Sequence, residues 1–282
     1  MAIRRTSLGV TGTYNNQGAT MFKFENGKCY RMPAHFGGYV YEPAETCYHD
    51  VIAMTFTYTT DGGRLSEYIP EGFELLRPEL SINYNQCREV DWLAGSGYNL
   101  IDVSAPVRFN GLRDKVEGNF SLVVWENSTT PILTGREETG VAKVYADIED
   151  PHILGDKRFI TASFEGNSFL RLEMTVEGPV DEAGMARLRN MPVTALHWRY
   201  IPKVGGPGAD LSQPVLFPQR AQAQSAWQGS GSVRWTVLGY EEHPRQAHII
   251  KALADLPVLK MSPVTMTRGA VFLMASMARV LE

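Results

Sequence analysis

The sequence predicts an α+β protein that is mainly β, and three features carry that prediction. Short runs rich in β-branched and aromatic residues recur along the chain. Several of them alternate apolar and polar residues with a period of two, the period that sends successive side chains to opposite faces of a sheet. Gly, Pro, Asn and Asp separate these runs at regular intervals, while helical periods are few, a pattern of barrels and sandwiches.

The strand candidates follow in order: "VIAMTFTYTT" (51–60), "ELSINYNQ" (79–86), "NLIDVSAPVRF" (99–109), "NFSLVVWE" (119–126) and "AKVYADIE" (142–149). "RFITASFEGNSFLRLEMTVEG" (158–178) reads as a hairpin about "EGN", and "TALHWRYIP" (194–202) and "GSVRWTVLGY" (231–240) complete the set. "GGRLSEYIP" (62–70) reads as a short helix ended by Pro70. "DEAGMARLRN" (181–190) places acids first and bases last, as the helix dipole prefers. "HPRQAHIIKALADLP" (243–257) sets Ile249, Leu253 and Leu256 at helical spacing. The C-terminal "TRGAVFLMASMARVLE" is the stronger helix candidate, with Met274 and Met277 as core or oligomer contacts. "KVGGPGADLSQP" (203–214) reads as a loop within one domain, and no repeat is apparent.

Composition narrows the function. A net charge of −4 and no basic run beyond "IRR" argue against nucleic acid or an anionic membrane as the main partner. No apolar stretch approaches the roughly 18 residues of a membrane helix, and the start lacks the apolar block of a secretory signal, so a cytoplasmic location is expected. Cys29, Cys47 and Cys87 are odd in number and lack a CxxC spacing, and are expected to be packing residues. The histidines form no HExxH pattern, so no metal is expected; phosphate-loop and GxSxG signatures are missing too.

Lys143 is the sharpest candidate for chemistry. A protonated amine cannot attack a carbonyl, so a Schiff-base lysine has to give up its proton readily, and burial among apolar groups favours that by penalising the charged form. Val141, Ala142, Val144 and Tyr145 supply such a setting. The alternative is a strand lysine in solvent. Upstream, Arg136, Glu137 and Glu138 of "GREE" either shape a pocket and bind a carboxylate or fix the turn before the strand. Arg88, Glu89, Asp91, Asn99 and Asp102 are either acid/base groups or a solvated face. Trp92, Trp125, Trp198 and Trp235 line a pocket or build the core.

Six stretches, taken together, resemble the acetoacetate decarboxylase superfamily: "YRMPAHFG" (30–37), "IPEGFEL" (69–75), "EVDWLAGSGYN" (89–99), "APVRFNG" (105–111), "GREETGVAK" (135–143) and "LADLPV" (253–258). Their order and spacing span nearly the whole chain. The resemblance implies one domain over 1–282 with residues 1–45 as an N-terminal extension packed on or near it. It implies an antiparallel β-barrel or cone with a few flanking helices, a homo-oligomer, an interior pocket and no cofactor. It assigns Lys143 as the Schiff-base nucleophile. Glu138 and Asp102 become candidate acid/base groups, and Arg136, Asn99, Tyr98 and Trp125 candidate substrate contacts.

The departures matter equally. Family members carry "PKK", where this chain has "AKV", with Val144 in place of the second lysine; the glutamate of "GYNE" is matched by Leu100; and the arginine expected near "HDVIAMTF" has no counterpart. An imine on Lys143 serves decarboxylation, aldol condensation, dehydration or isomerisation alike, because the iminium stabilises a carbanion at the adjacent carbon. The expected activity is a lyase acting on an oxo acid or related ketone, with decarboxylation slightly ahead of aldolase–dehydratase or isomerase chemistry. A non-catalytic barrel that binds a small molecule is the rival.

Overall fold

The computed structural model describes residues 21–40 and 45–282, which fall in two compact units. In the first, Lys28–Cys29 pairs antiparallel with Tyr39–Val40, and the rings of Phe22, Phe24 and Tyr30 meet edge to face.

The second unit is built on one large sheet. Its main strands are β1 (Glu45–Thr59), β2 (Glu79–Val90), β3 (Tyr98–Asn110), β4 (Lys115–Glu126), β5 (Lys143–Tyr145), β6 (Lys157–Phe164), β7 (Asn167–Pro179), β8 (Met191–Pro202), β9 (Ala209–Trp235) and β10 (Val264–Met274). Their pairings close on themselves in a ring: β1 to β2, β3, β4, β8, β9, β10 and back to β1. The long β9 makes closure possible. Its first part pairs with β8, its middle with β10, and its last part with β7, which in turn pairs with β6. Gly269 permits the contact of β10 with β9, since a Cβ there would lie 1.9 Å from the Gln222 carbonyl oxygen.

Local chemistry accounts for the turns and helices. Glu165 and Gly166 both take positive φ, 48° and 85°, at the tip of the β6–β7 hairpin, the geometry of a type I′ turn. Helix α1 (Gly62–Ser66) starts at Asp61, whose carboxylate accepts from the Arg64 amide. The short helix α2 (Thr129–Thr134) follows β4. Helix α3 (Glu182–Leu188) starts at Asp181 in the same way as α1, and α4 (Ala247–Ala254) buries Ile250 and Leu253.

Three expectations need correction. The C-terminal segment is not a helix: Val264–Met274 is strand β10, hydrogen-bonded on both edges, to β9 and β1. Val264 and Met266 are buried while Thr265 and Thr267, which alternate with them, are half-buried, so the period is two, and pairing on both sides outweighs local helix propensity. The loop at 203–214 yields to strand β9 at Ala209, and the strand sought at 231–240 ends at Trp235.

The main core lies on one face of β1–β4. Phe56, Tyr58, Ile82, Tyr84, Ile101, Val103, Val123 and Trp125 pack there with Phe169 and Leu172 of β7 and with Ile250 and Leu253 of α4. Alternation then sends Asp102, Val124 and Glu126 to the opposite face. Trp125 packs on Phe169 and Trp235, with ring centroids 5.1 and 6.0 Å away. Replacing the fully buried Phe169 by alanine opens a cavity under that indole. Phe169→Ala should cost about 3–5 kcal/mol in urea unfolding; a loss under about 1 kcal/mol would contradict this packing.

Candidate active site

The site is set by the way one edge of β4 is shared. Midway along β4, Asn119 and Phe120 pair with Ala195 and Leu196 of β8; near its end, Val124, Trp125 and Glu126 pair with Lys143, Val144 and Tyr145 of β5. Both partners run parallel to β4. Strand β8 leaves this edge after Leu196, and residues 142–145 take its place, with the Val124 amide donating to the Ala142 carbonyl at 2.9 Å.

A helical link delivers the lysine to that edge. Helix α2 runs into one π turn, Gly135–Thr139, which ends at Gly140 with φ +69°. The turn is braced at several points. Val141 N–H donates to the Gly135 carbonyl, Arg136 Nη1 to the Lys143 carbonyl at 2.9 Å, and Arg199 Nη2 to the Glu137 carbonyl. Both glycines of "GREETG" have steric reasons. A Cβ on Gly135 would lie 2.6 Å from Lys143 Cδ and Cε, and one on Gly140 would lie 2.3 Å from Arg199 Cβ.

Register then decides what Lys143 meets. Val144 packs against the main core, so Lys143 turns to the opposite face, where Glu126 also points. Lys143 Nζ stands 2.8 Å from Glu126 Oε1 and donates to the Pro131 carbonyl at 3.1 Å. The lysine side chain is 14% exposed and the glutamate 0%, so this pair is largely shielded from solvent. Neither carboxylate oxygen of Glu126 has a hydrogen-bond partner among the described residues, so its contact with Lys143 is an ion pair. Burial raises the proton affinity of the Glu126 carboxyl, against the opposing charge of Lys143.

Other groups close around the pair. Burial pushes the Cys87 thiol up to about 12, with the Glu126 charge adding to it. Tyr98, its phenol also raised by burial, shares a 3.1 Å hydrogen bond with the Tyr48 hydroxyl, which accepts from Trp92 Nε1 at 3.0 Å. His197 of β8 is buried, and neither of its ring nitrogens has a hydrogen-bond partner among the described residues. Burial first, then the Lys143 charge, pushes its imidazole down to about 3.

The residues singled out from sequence therefore divide. Lys143 occupies the centre, with Tyr98 near enough for the Glu126 charge to act on its phenol. Asp102 stands on the same sheet face, half-buried, accepting from Asn83 Nδ2 at 3.3 Å, and burial raises its carboxyl. Asn99 is a brace: its Nδ2 donates to the Ile148 carbonyl and to Asp150, and its Oδ1 accepts from Arg88. Trp125 is in the core on the far side of the sheet and donates to Gln246 Oε1 at 2.6 Å. Arg136 and Glu138 are exposed on the π turn. Sequence reading passed over Glu126, His197 and Gly135. One signal for Glu126 was available: it directly follows the apolar run "LVVW", where a carboxylate needs a partner. Its register was not readable; it lies directly across from Leu100.

Comparison with known proteins gives a consistent result. The acetoacetate decarboxylase family profile matches residues 31–274. An acetoacetate decarboxylase of Burkholderia ambifaria (strain MC40-6) is 24% identical over 213 residues, covering 73% of this chain and 77% of that protein. Among solved structures, acetoacetate decarboxylase from Legionella pneumophila superposes with a TM-score of 0.69 at 18% identity, covering 100% of this chain and 98% of the other. The enduracididine biosynthesis enzyme MppR complexed with pyruvate superposes with a TM-score of 0.64 at 14% identity, over 86% of this chain and 92% of that one. At these identities the two structures speak for the shared fold.

Two predictions follow from the geometry. Gly135 has helical dihedrals, so Gly135→Ala should fold, yet its methyl displaces the flexible lysine. Lys143 should then be acylated faster than in the wild type; unchanged labelling would contradict the contact. The second concerns acid. The unfolded chain protonates His197 below about pH 6.5, while the folded protein holds it neutral to about 3, so its share of stability is present above that window and lost as pH falls through it. Between pH 7 and 5 the wild type should lose about 2 kcal/mol more than His197→Phe. His243, also shifted down by burial, is common to both proteins and cancels. Parallel urea curves at the two pH values test this.

Proposed function

The chain belongs to the acetoacetate decarboxylase family, and from that membership we propose that it is a lyase that forms an imine between Lys143 and an oxo acid or related ketone. The observation that carries this reading is the buried Lys143–Glu126 pair, 2.8 Å apart. A nucleophilic amine needs a base beside it, and Glu126 is placed to take the ammonium proton. Nζ then attacks the carbonyl carbon. The nitrogen's excess proton passes to the oxygen, and Glu126 returns its proton as that oxygen leaves as water, giving the iminium.

From a 3-oxo acid, the bond to the carboxyl carbon breaks next. Its electron pair flows into the iminium and CO2 departs. The resulting enamine takes a proton at carbon, and hydrolysis frees the ketone and Lys143. The Burkholderia relatives are acetoacetate decarboxylases, which supports this course. A second reading is favoured by Glu126 itself: a carboxylate beside the iminium can remove an α-proton instead, which starts aldol and dehydration chemistry. The complex of MppR with pyruvate supports a 2-oxo acid for that alternative.

Borohydride reduction in the presence of acetoacetate or pyruvate should add the corresponding mass irreversibly at Lys143, and Lys143→Ala should show none. Glu126→Gln should slow adduct formation by about 10²–10⁴-fold, the range of a lost acid/base group. No adduct with any ketone would sink the imine mechanism. Release of CO2 from acetoacetate, set against condensation of pyruvate with an added aldehyde, separates the two readings.

A further inference from the structure

We propose that the His197 imidazole donates a hydrogen bond to the oxygen of the substrate carbonyl while Lys143 attacks its carbon. The proposal rests on the imine reading above and assigns His197 as a further catalytic residue of that site.

Position is the first argument. Strands β8 and β5 take up the same edge of β4 in succession, and His197 is the first residue of β8 past its last pair with β4. Leu196 packs in an apolar cluster with Phe109 and Phe120, so alternation turns His197 to the other face of β8. There the Lys143 charge is close enough to act on the imidazole. Two residues on, Arg199 holds the Glu137 carbonyl, so the same stretch of β8 lies against the π turn that carries the lysine.

The second argument is hydrogen bonding. Buried polar groups in folded proteins are almost always paired, and both ring nitrogens of His197 lack a partner among the described residues. His243 shares that feature, but its ring stacks on Phe164 at 4.3 Å and meets Phe169 on the core side. His197 instead shares its surroundings with Lys143.

Charge is the third. Held neutral by burial, His197 keeps one N–H donor and one acceptor nitrogen. An imidazolium would compete with the Lys143 ammonium for Glu126; a neutral ring leaves that proton exchange undisturbed. An imidazole kept neutral can still polarise a carbonyl. During addition the C–N bond forms, the carbonyl π pair moves onto oxygen, and the His197 N–H stabilises the charge gathering there. His197 gives up no proton; the proton reaching the oxygen comes from the nitrogen, and Glu126 supplies the one that expels water.

The test compares wild type, His197→Phe and His197→Gln, the last retaining an N–H donor. Single-turnover formation of the borohydride-trapped Lys143 adduct with acetoacetate and with pyruvate is measured over a range of ketone concentrations. His197→Phe should lower the maximal rate about 10²-fold with a smaller change in half-saturation, and His197→Gln should recover most of it. A wild-type rate in His197→Phe overturns the proposal, as does an equal loss in both variants. A wild type that forms no adduct overturns the imine reading and this proposal together, whereas a wild-type adduct with indifferent variants overturns this proposal alone. Should His197→Phe not fold, the imidazole 15N resonances of His197 in a Lys143→Gln variant carry the test. Saturating pyruvate should shift the N–H resonance, and an unmoved resonance overturns the assignment.

Discussion

A lysine ammonium and a glutamate carboxylate face each other at 2.8 Å in a place where the glutamate has no solvent exposure. Neither charge is tolerable there alone. Desolvating either ion carries a penalty of several kcal/mol that a neighbour of opposite sign offsets only when geometry is good. The pair therefore holds only if β4 and β5 keep their register, because a slip of one residue would send Lys143 into the core and bring Val144 to the glutamate. The apolar face of β4, with Val123 and Trp125 in the core, fixes that register from behind. Packing on one face of the strand thus sets the electrostatics on the other.

The surrounding elements follow from the same constraint. A short strand such as Lys143–Tyr145 has little pairing of its own, so its position has to be enforced from outside. The π turn does this through the Arg136 bond to the Lys143 carbonyl and the Arg199 bond to the Glu137 carbonyl. The absence of a side chain at Gly135 leaves the groove in which the lysine stem lies. Ring closure through β9 and β10 keeps β8 at the middle of β4 and hence His197 at the fork.

Much of the fold was legible because it is local. Alternation marked β1–β4, "EGN" marked a hairpin whose two central residues take positive φ, and the leading acids of 181–190 marked a helix start. The C-terminal strand was not legible: "GAVFLMASM" has an apolar run that suits helix or strand, and only β1 and β9 on either side decide between them. Lys143 stood out because the flanking glycines and "GRE" recur at a family spacing. Glu126 did not, since its distance from Lys143 in sequence says nothing of a parallel register between β4 and β5. His197 was hidden for a related reason. In "TALHWRY" it reads as one more strand residue; what sets it apart is that neither ring nitrogen has a partner among the described residues and that Lys143, more than fifty residues away, acts on it.

Leu100 and Val144 stand where the sequence resemblance leads one to expect a glutamate and a second lysine. Leu100 is apolar and packs in the cluster of Tyr48, Cys87 and Tyr98, while a carboxylate, Glu126, stands directly across the strand pair. Val144 lies on the core side. The charge beside Lys143 is accordingly an anion, and on the imine reading proposed above the proton that the amine gives up has an acceptor within the site itself. A buried carboxylate of raised proton affinity stores that proton at little electrostatic expense, since transfer converts two buried charges into two neutral groups. On the imine reading proposed above, the arrangement suits a substrate that arrives as the pair neutralises and leaves uncharged donors, the proposed His197 among them, to receive the carbonyl oxygen.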